Sequence, residues 1–254
     1  MYNLLKMECY KLRTSKLFIV MLSVACGLNF IAEILTPMIL KLAEPAAVLQ
    51  DEKFSSIIAT PLSGGLMIFM FISVASYYYS DFDSGYIKNI AGQVKNKGSI
   101  VIVKFITAAI HNLIFFICGG LAITAGAAIN GMLVFDKDIP GGIATMLIKW
   151  LLSIALCSIL LFFAVGIRSK SLTIVFGVIF AVSALSLLYM GINAGIAALI
   201  KGSTFDLASY MPDALLDSVN VVNGDLVPNA LIVGVVYTVV FTSLTYTTFK
   251  KRDI

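Results

Sequence analysis

The chain has little charge and few of the side chains with which enzymes do chemistry. Of its 254 residues, 13% are charged, about half of the ~25% usual in a soluble domain, whereas 59% are hydrophobic. The single histidine is His111. No two cysteines have C-x-x-C spacing, so neither a metal site nor a disulfide framework is expected. The cysteines are Cys9, Cys26, Cys118 and Cys157. This composition leaves no room for a separate soluble catalytic domain.

Motifs for nucleotide binding and hydrolysis are also lacking. Residues 92–99 superficially resemble a phosphate-binding loop, but the lysine precedes the second glycine and no strand leads into the segment. Neither H-E-x-x-H nor G-x-S-x-G occurs, and no pair of catalytic groups shares a depth in the predicted spans, which disfavours an intramembrane enzyme. We therefore expect a protein that is not an enzyme, with no cofactor, no metal and no nucleic-acid partner of its own.

Long apolar runs dominate the sequence and predict an all-α integral membrane protein. A helix needs about 20 apolar residues to cross ~30 Å of hydrocarbon, and the runs are too long and too uniform for barrel strands. The chain is then a single transmembrane domain, 1–254, with six transmembrane helices. The predicted spans are 17–40, 57–79, 100–122, 143–167, 172–199 and 227–249.

The distribution of charge predicts the orientation of these spans. Thirteen of the eighteen lysines and arginines fall on one side of the predicted topology, which the positive-inside rule makes cytoplasmic. The loops on the other side contain nine acidic residues. Both termini are therefore predicted to be cytoplasmic, in agreement with an even number of spans.

Three segments outside the spans are distinctive. Residues 1–16 alternate apolar and charged positions and predict a helix in the inner membrane interface, the alternative being an ordinary basic flank of the first span. Residues 80–99 form a polar, basic loop on the cytoplasmic side. The last outer loop, 201–226, contains a short apolar-striped helix at 212–222, which we expect to dip into the outer interface as a re-entrant element.

A few polar residues within the spans are candidates for a transport pathway. Glu33 is the only acid in a span and has Asn29 one turn before it, while His111 and Asn112 lie near the middle of the third span. Intramembrane ionisable residues are functional candidates by default, and here they support a channel or an ion-coupled carrier. The structural alternatives are that Glu33 only reaches outer water and that His111 makes an interhelical hydrogen bond.

The loop between the second and third spans has a distinctive order of residues. It contains Asp83-Ser-Gly85-Tyr86-Ile87-Lys88-Asn-Ile90, followed by Lys95, Lys97 and Lys104. This order resembles the cytoplasmic loop of ABC-2 type transporter permeases, which typically has an acid, then Gly-Thr-Ile-Lys-Asn-Leu or a variant, then a basic stretch entering the third span. Tyr86 stands where threonine is common. The opening from Leu4 to Lys16 is also similar, and the resemblance extends over the whole chain.

The resemblance implies a type V exporter-like architecture and a set of partners. A second permease subunit, identical or related, and two separate ATPase subunits that bind ATP and Mg would complete the transporter. The loop would be a coupling helix that docks on the ATPase. Gly85 would start this helix, Tyr86, Ile87 and Ile90 would be apolar anchors, and Lys88, Lys95 and Lys97 would contact acidic residues or phosphates.

The resemblance also suggests a cargo and a location. Small permeases of this kind are similar to bacitracin-resistance, lantibiotic-immunity and cytolytic-peptide exporters of the cytoplasmic membrane of Gram-positive bacteria. The implied cargo is an amphipathic antimicrobial or toxin peptide, which an acidic outer face would suit. A sodium or lipid-linked cargo remains open at this point.

Overall fold

The chain folds almost entirely into α-helices. The computed structural model describes residues 2–43, 51–62, 66–83, 85, 87, 92, 94, 96–200, 205–220, 224 and 226–251. Its helices are α1 (Tyr2–Thr14), α2 (Lys16–Ala43), α3 (Phe54–Ala59), α4 (Met67–Asp83), α5 (Gly98–Ile129), α6 (Ile139–Ile167), α7 (Lys170–Ala181), α8 (Ser186–Leu199), α9 (Pro212–Ser218) and α10 (Val227–Lys251). A 3-10 turn covers Leu207–Tyr210, and two short parallel strands, β1 (Glu52–Lys53) and β2 (Leu133–Val134), pair Glu52 with Leu133.

Several of these helices are long and apolar enough to cross a membrane. Within the described residues, α2, α5, α6 and α10 qualify singly, and α7 with α8 forms a further stretch that is bent by 66°. The helix α4 has 17 residues, or roughly 25 Å at ~1.5 Å per residue. The predicted fold class, an all-α integral membrane protein, is confirmed.

The core lies around α6 and α5. Aromatic and leucine side chains such as Phe71, Phe115, Leu156 and Leu160 are fully buried there. Around them, α2 packs on α5, α4 on α7, and α10 along α6. By contrast, few residues of α2 and α10 are buried, which is the pattern of helices that face lipid or another apolar surface.

The two ends of the bundle differ. We call the side of the bundle where α4 ends and α5 begins, beside the loop 80–99, the loop end. Helix α1 lies there because Lys11 pairs with Asp81. The last turns of α10 lie there because Tyr246 contacts Asn96. The opposite end has the paired strands, α3 and α9. The orientation of these two ends in the membrane stays a prediction.

The predicted second span, 57–79, is not one continuous helix. Helix α3 ends at Ala59, residues 60–62 are not helical, and α4 begins only at Met67. The physical reason is Pro61, which lacks an N–H and disfavours helical backbone at the residue before it. Its carbonyl lies between two other helices: the Asn29 amide of α2 donates to it at 3.5 Å, and Gly119 of α5 approaches so closely that a Cβ there would lie 2.4 Å away.

The predicted fifth span, 172–199, is also broken. Helix α7 ends at Ala181 and α8 begins at Ser186, at a bend of 66°. Ser183 within the break has a φ of 47°, which is unfavourable for a residue other than glycine. Its hydroxyl donates to the Asp217 carboxylate of α9. The break therefore coincides with a contact to a residue 34 positions further along the chain.

The short helix expected at 212–222 is α9, and it ends earlier, at Ser218. Pro212 occupies its first turn, where the missing N–H costs nothing. Leu215 and Leu216 are buried, and α9 packs against α6. Val219 and Asn220 are not helical, and residues 221–223 lie outside the described part.

Candidate functional site

The loop 80–99 leaves α4 through a left-handed turn. Gly85 has a φ of 68°, a region that favours glycine, and Ile87 beyond it is helical. The coupling helix expected to start here stays a prediction. Of the predicted docking residues, Tyr86, Lys88, Ile90 and Lys95 lie outside the described residues, as does the side chain of Asp83. Lys97 directly precedes α5 and is half-buried.

Ile87 holds the loop on the bundle. Its side chain is 3% exposed and belongs to the main hydrophobic core of the chain. A fully buried isoleucine stabilises the folded chain by roughly 1.5–3 kcal/mol. The sequence predicted Ile87 as an apolar anchor for a partner, but its side chain is buried inside this chain.

The far end of the loop is held by the side chain of Asn96. Asn96 Oδ1 accepts from the backbone N–H of Gly98 at 3.1 Å, at the start of α5. The Asn96 amide also donates to the hydroxyl of Tyr246 on α10 at 3.0 Å. The loop is therefore connected to α10 as well as to α4 and α5.

Four charged residues and a tyrosine meet where the loop leaves α4. We call Glu8, Lys11, Tyr77, Asp81 and Lys104 the inner charge cluster. Asp81 pairs with Lys11 of α1 and with Lys104 of α5. The Tyr77 hydroxyl donates to Glu8, whose carboxylate lies 4.0 Å from Lys104 Nζ.

The inner charge cluster is deeply buried and electrically balanced. Asp81 and Glu8 are 1% exposed and Lys104 is 2% exposed, so two carboxylates face two ammonium groups. The aromatic ring of Tyr77 adds to this balance, since Lys104 Nζ lies 4.8 Å from its centroid, within cation–π range. Removing a single member would leave an uncompensated buried charge, which typically costs about 3–5 kcal/mol.

Lys11, on α1, lies outside the spans and is the partly exposed member of the cluster. Burial, reinforced by the positive charge of Lys104, lowers the pKa of Lys11 to about 8, while the negative charge of Glu8 acts in the opposite direction. Lys11 therefore stays mostly cationic at neutral pH, and its charge is easier to remove than that of a solvated lysine.

Sequence reasoning missed this cluster as a site. The sequence motifs indicate Lys104 only as part of the basic stretch and Glu8 only as part of the family-like opening. The available signal was Lys104, the fifth residue of the predicted third span, together with Asp81 just after the preceding span, since ionisable residues within spans are almost always paired.

His111 and Asn112 form a second polar group in the centre of the bundle. His111 Nε2 lies 2.9 Å from Ser73 Oγ of α4, and Asn112 donates to Ser153 Oγ and Cys157 Sγ of α6, both at 3.1 Å. His111 and Asn112 are fully buried. This network joins α4, α5 and α6, as expected for interhelical hydrogen bonds, and exposes no surface to a passage.

Glu33 and Asn29 lie elsewhere, towards the opposite end. The backbone carbonyl of Glu33 accepts from the Asn130 amide at 2.8 Å, and its side chain packs against Gly126 of α5. Gly126 is fifteen residues beyond His111, or roughly 22 Å along the helix. The structure therefore does not bring Glu33 and His111 together, and Asn29 contacts Pro61 instead.

One family model matches most of the chain. The model described as "ABC-2 family transporter protein" covers residues 4–185. This stretch begins within α1, contains the loop 80–99 and every member of the inner charge cluster, and ends directly before α8. No curated protein matches the chain.

Proposed function

The chain belongs to the ABC-2 family of transporter proteins, and from this membership we propose that it exports amphipathic peptides when a separate ATPase docks on the loop 80–99. Membership of this family makes the chain the membrane permease subunit of an ABC transporter. The observation that carries the proposal is that the family match includes both the loop and the buried charges at its base.

The ATPase is the partner that would handle ATP and Mg. In our proposal, Tyr86 and Ile90 of the loop provide apolar contacts and Lys88, Lys95 and Lys97 provide charge, with Asp83 at the entrance. Ile87 has a different task, because a side chain that is 3% exposed fixes the loop to its own bundle. Gly85 provides the turn between α4 and the docking segment.

The connections of the loop suggest how an ATPase would move the helices. ATP-driven closure of two ATPase subunits would displace two such loops. Asp81 connects the start of the loop to α1 and α5, and Asn96 connects its end to α10. A displacement of the loop would thus reach four helices through side chains that are already in contact.

A second permease subunit would complete the translocation path. We propose an identical or related chain, with both termini cytoplasmic in a bacterial cytoplasmic membrane. The exposed apolar faces of α2 and α10 leave room for contact with lipid and with that subunit. The polar groups at Asn29 and at His111 are internal to one chain, so we do not assign them to the path.

The cargo is proposed from chemistry rather than from a bound molecule. The loops predicted to face outward contain nine acidic residues, a charge that is complementary to a cationic amphipathic peptide. A peptide resistance or toxin-export role, as in the bacitracin, lantibiotic and cytolytic-peptide systems, fits this charge. An ion-coupled carrier that uses Glu33 with His111 is not favoured, because these residues lie at different depths.

The docking proposal is tested by charge reversal on the loop. The tagged chain is coexpressed with its candidate ATPase and purified in nanodiscs. We expect at least ~10-fold less ATPase to copurify with the double variant Lys88→Glu, Lys95→Glu than with the parental chain, because the docking charges have changed sign. Lys170→Glu, an exposed lysine at the start of α7, is the matched control. Copurification of equal amounts of ATPase with the double variant and the parental chain would contradict the docking role.

The cargo proposal needs its own measurement. Inside-out vesicles that contain the complex should take up a fluorescent cationic amphipathic peptide in the presence of ATP, and the loop variant should not. An ion gradient applied without ATP should drive no uptake. Uptake that follows the gradient and ignores ATP would instead support the carrier alternative.

A further inference from the structure

The inner charge cluster lies where three helices and the loop 80–99 meet. Asp81 is two residues before the end of α4, Lys104 is in the second turn of α5, and Glu8 and Lys11 belong to α1. Among the described residues, these side chains join the base of the loop to both α1 and α5 through ion pairs.

We propose that the inner charge cluster is the joint that makes α1 and α5 follow a displacement of the loop 80–99. This inference rests on the proposed function, because it takes the loop to be the element on which an ATPase acts. It assigns positioning roles to Glu8, Lys11, Asp81 and Lys104, none of which belongs to the predicted docking segment.

Charge balance is the physical basis of the joint. The Asp81 carboxylate is 1% exposed and has its two cationic partners on two different helices. If α4 moved alone, Asp81 would leave both lysines and stay buried without a counter-charge, which is strongly unfavourable. Movement of α4 together with α1 and α5 keeps every pair intact, so the three elements behave as one unit.

The attachment of α1 points in the same direction. Ser15 interrupts the helix between α1 and α2, and its hydroxyl accepts from the N–H of Phe18 at 3.4 Å, so α2 starts as a separate helix. The buried side chains of α1 are Glu8 and Leu12, and α1 packs mainly on α5. Besides the cluster, Leu4, Met7 and Leu12 of α1 pack against the hydrophobic core, so side-chain contacts as well as the link to α2 hold α1.

The Tyr77 hydroxyl adds a connection within the joint. It donates to Glu8, so α4 contacts α1 through an uncharged group as well as through the Asp81–Lys11 pair. A cluster that only filled space would not need two different links between the same two helices. The duplication suits an element that must keep its geometry while it moves.

The test measures the position of α1 directly, in the full-length chain. In a background without the native cysteines, spin labels are placed at Tyr10→Cys, on the exposed side of α1, and at Lys170→Cys, at the start of α7. The distance distribution between the labels is measured in nanodiscs for Asp81→Asn, Lys104→Met and Glu8→Gln. Glu8→Gln is nearly isosteric and alters only α1, so it remains informative if a variant in a span fails to fold.

We expect the distribution to broaden by roughly twofold in each variant, because α1 loses its fixed position on the bundle. Lys104→Arg keeps the charge and should restore the parental width. The control Lys16→Met removes an exposed lysine beside α1 and should change nothing. If the distance distribution had the parental width in all three neutralised variants, the proposal that the cluster is a joint would be contradicted.

A second part of the test uses the complex with the ATPase. ATP should shift the distance in the parental chain, and Glu8→Gln should remove that shift while it retains the ATPase within about twofold of the parental amount. If ATP changed the label distance in Glu8→Gln as much as in the parental chain, the proposal that the cluster is a joint would be contradicted. A parental chain that retains no ATPase would overturn the proposed function, whatever the width of its distribution.

Discussion

The hydroxyl of Tyr189 lies 2.9 and 3.2 Å from the two carboxylate oxygens of Asp213 and donates to them. Tyr189 is the buried residue of α8, and Asp213 is 2% exposed in the first turn of α9. Together with the contact between Ser183 and Asp217, this hydrogen bond attaches the bent α7–α8 segment to α9. Removal of the donor should therefore loosen the opposite end of the bundle.

The first prediction concerns Tyr189→Phe. The variant keeps the ring but leaves the Asp213 carboxylate buried without this donor, which should cost roughly 1–3 kcal/mol. Amide hydrogen exchange of residues 212–218, followed by mass spectrometry, should become faster. Tyr210→Phe is the control, since Tyr210 is 51% exposed. Unchanged exchange in Tyr189→Phe would show that α9 is held by its apolar contacts alone.

The second prediction is a pH dependence that belongs to Asp213. Burial raises the pKa of this carboxyl, against the opposing effect of the Tyr189 hydrogen bond. The folded chain therefore holds the proton more tightly than the unfolded chain. This contribution to stability is fully present below the pKa of the unfolded carboxyl and is lost as the pH rises through the raised value.

The measurement is the thermal unfolding of the purified chain in nanodiscs from acidic to neutral pH. The difference between the parental chain and Asp213→Asn should change across that range, because the variant has no proton to lose. Asp138→Asn, on the same end of the bundle, is the comparison. A difference between the parental chain and Asp213→Asn that is constant over the whole range would contradict the assignment.

The third prediction uses two neighbouring glycines of α5. A Cβ at Gly119 would lie 2.4 Å from the Pro61 carbonyl oxygen, whereas a Cβ at Gly120 would lie 3.5 Å from the Pro61 side chain. Gly119→Ala should destabilise the chain by roughly 1–3 kcal/mol through overpacking. Gly120→Ala should be neutral or stabilising by up to ~1 kcal/mol, because alanine favours the helix.

The comparison of these two variants is internally matched, since both add one methyl group to adjacent positions of one helix. Thermal unfolding followed by circular dichroism would rank them. Equal melting temperatures would mean that the backbone at Pro61 moves to accommodate the added methyl group and is not tightly packed against α5.

The fourth prediction concerns the central polar network. Asn112→Ala removes the donor to Ser153 and Cys157 and an acceptor beside His111, so it should destabilise the folded chain by about 1–3 kcal/mol. Asn3→Ala, on the exposed side of α1, should have no effect. If Asn112→Ala instead kept its stability and lost transport, the network would belong to the cargo path after all.

The long helices could be predicted from the sequence because their signal is local. Each of α2, α5, α6 and α10 is a run of apolar residues, and the polar segment after Asp81 separates two such runs. The kink at Pro61 also has a local cause. In contrast, the bend at Ser183 has neither proline nor glycine, and the Asp217 side chain that Ser183 contacts is remote in sequence.

The candidate site was predictable only in part for the same reason. The pattern around Gly85 and Ile87 resembles a family loop, but the burial of Ile87 depends on how the loop returns to the bundle. Likewise, Glu8 and Lys104 are 96 positions apart, and their proximity appears only after α1 has packed on α5. Residue types alone gave no means of pairing them.

The ion pair between Asp81 and Lys104 has a consequence for the synthesis of the chain. A lysine at the centre of an inserting helix costs about 2.5–3.5 kcal/mol, and less towards its ends. Asp81 leaves the ribosome 23 residues before Lys104, so the neutralising partner is already present when the third span reaches the translocation machinery. In insertion assays, Asp81→Leu should lower the insertion of α5, and Lys104→Leu should make it independent of Asp81. The same contact that connects the finished helices thus favours entry of α4 and α5 into the bilayer as a hairpin.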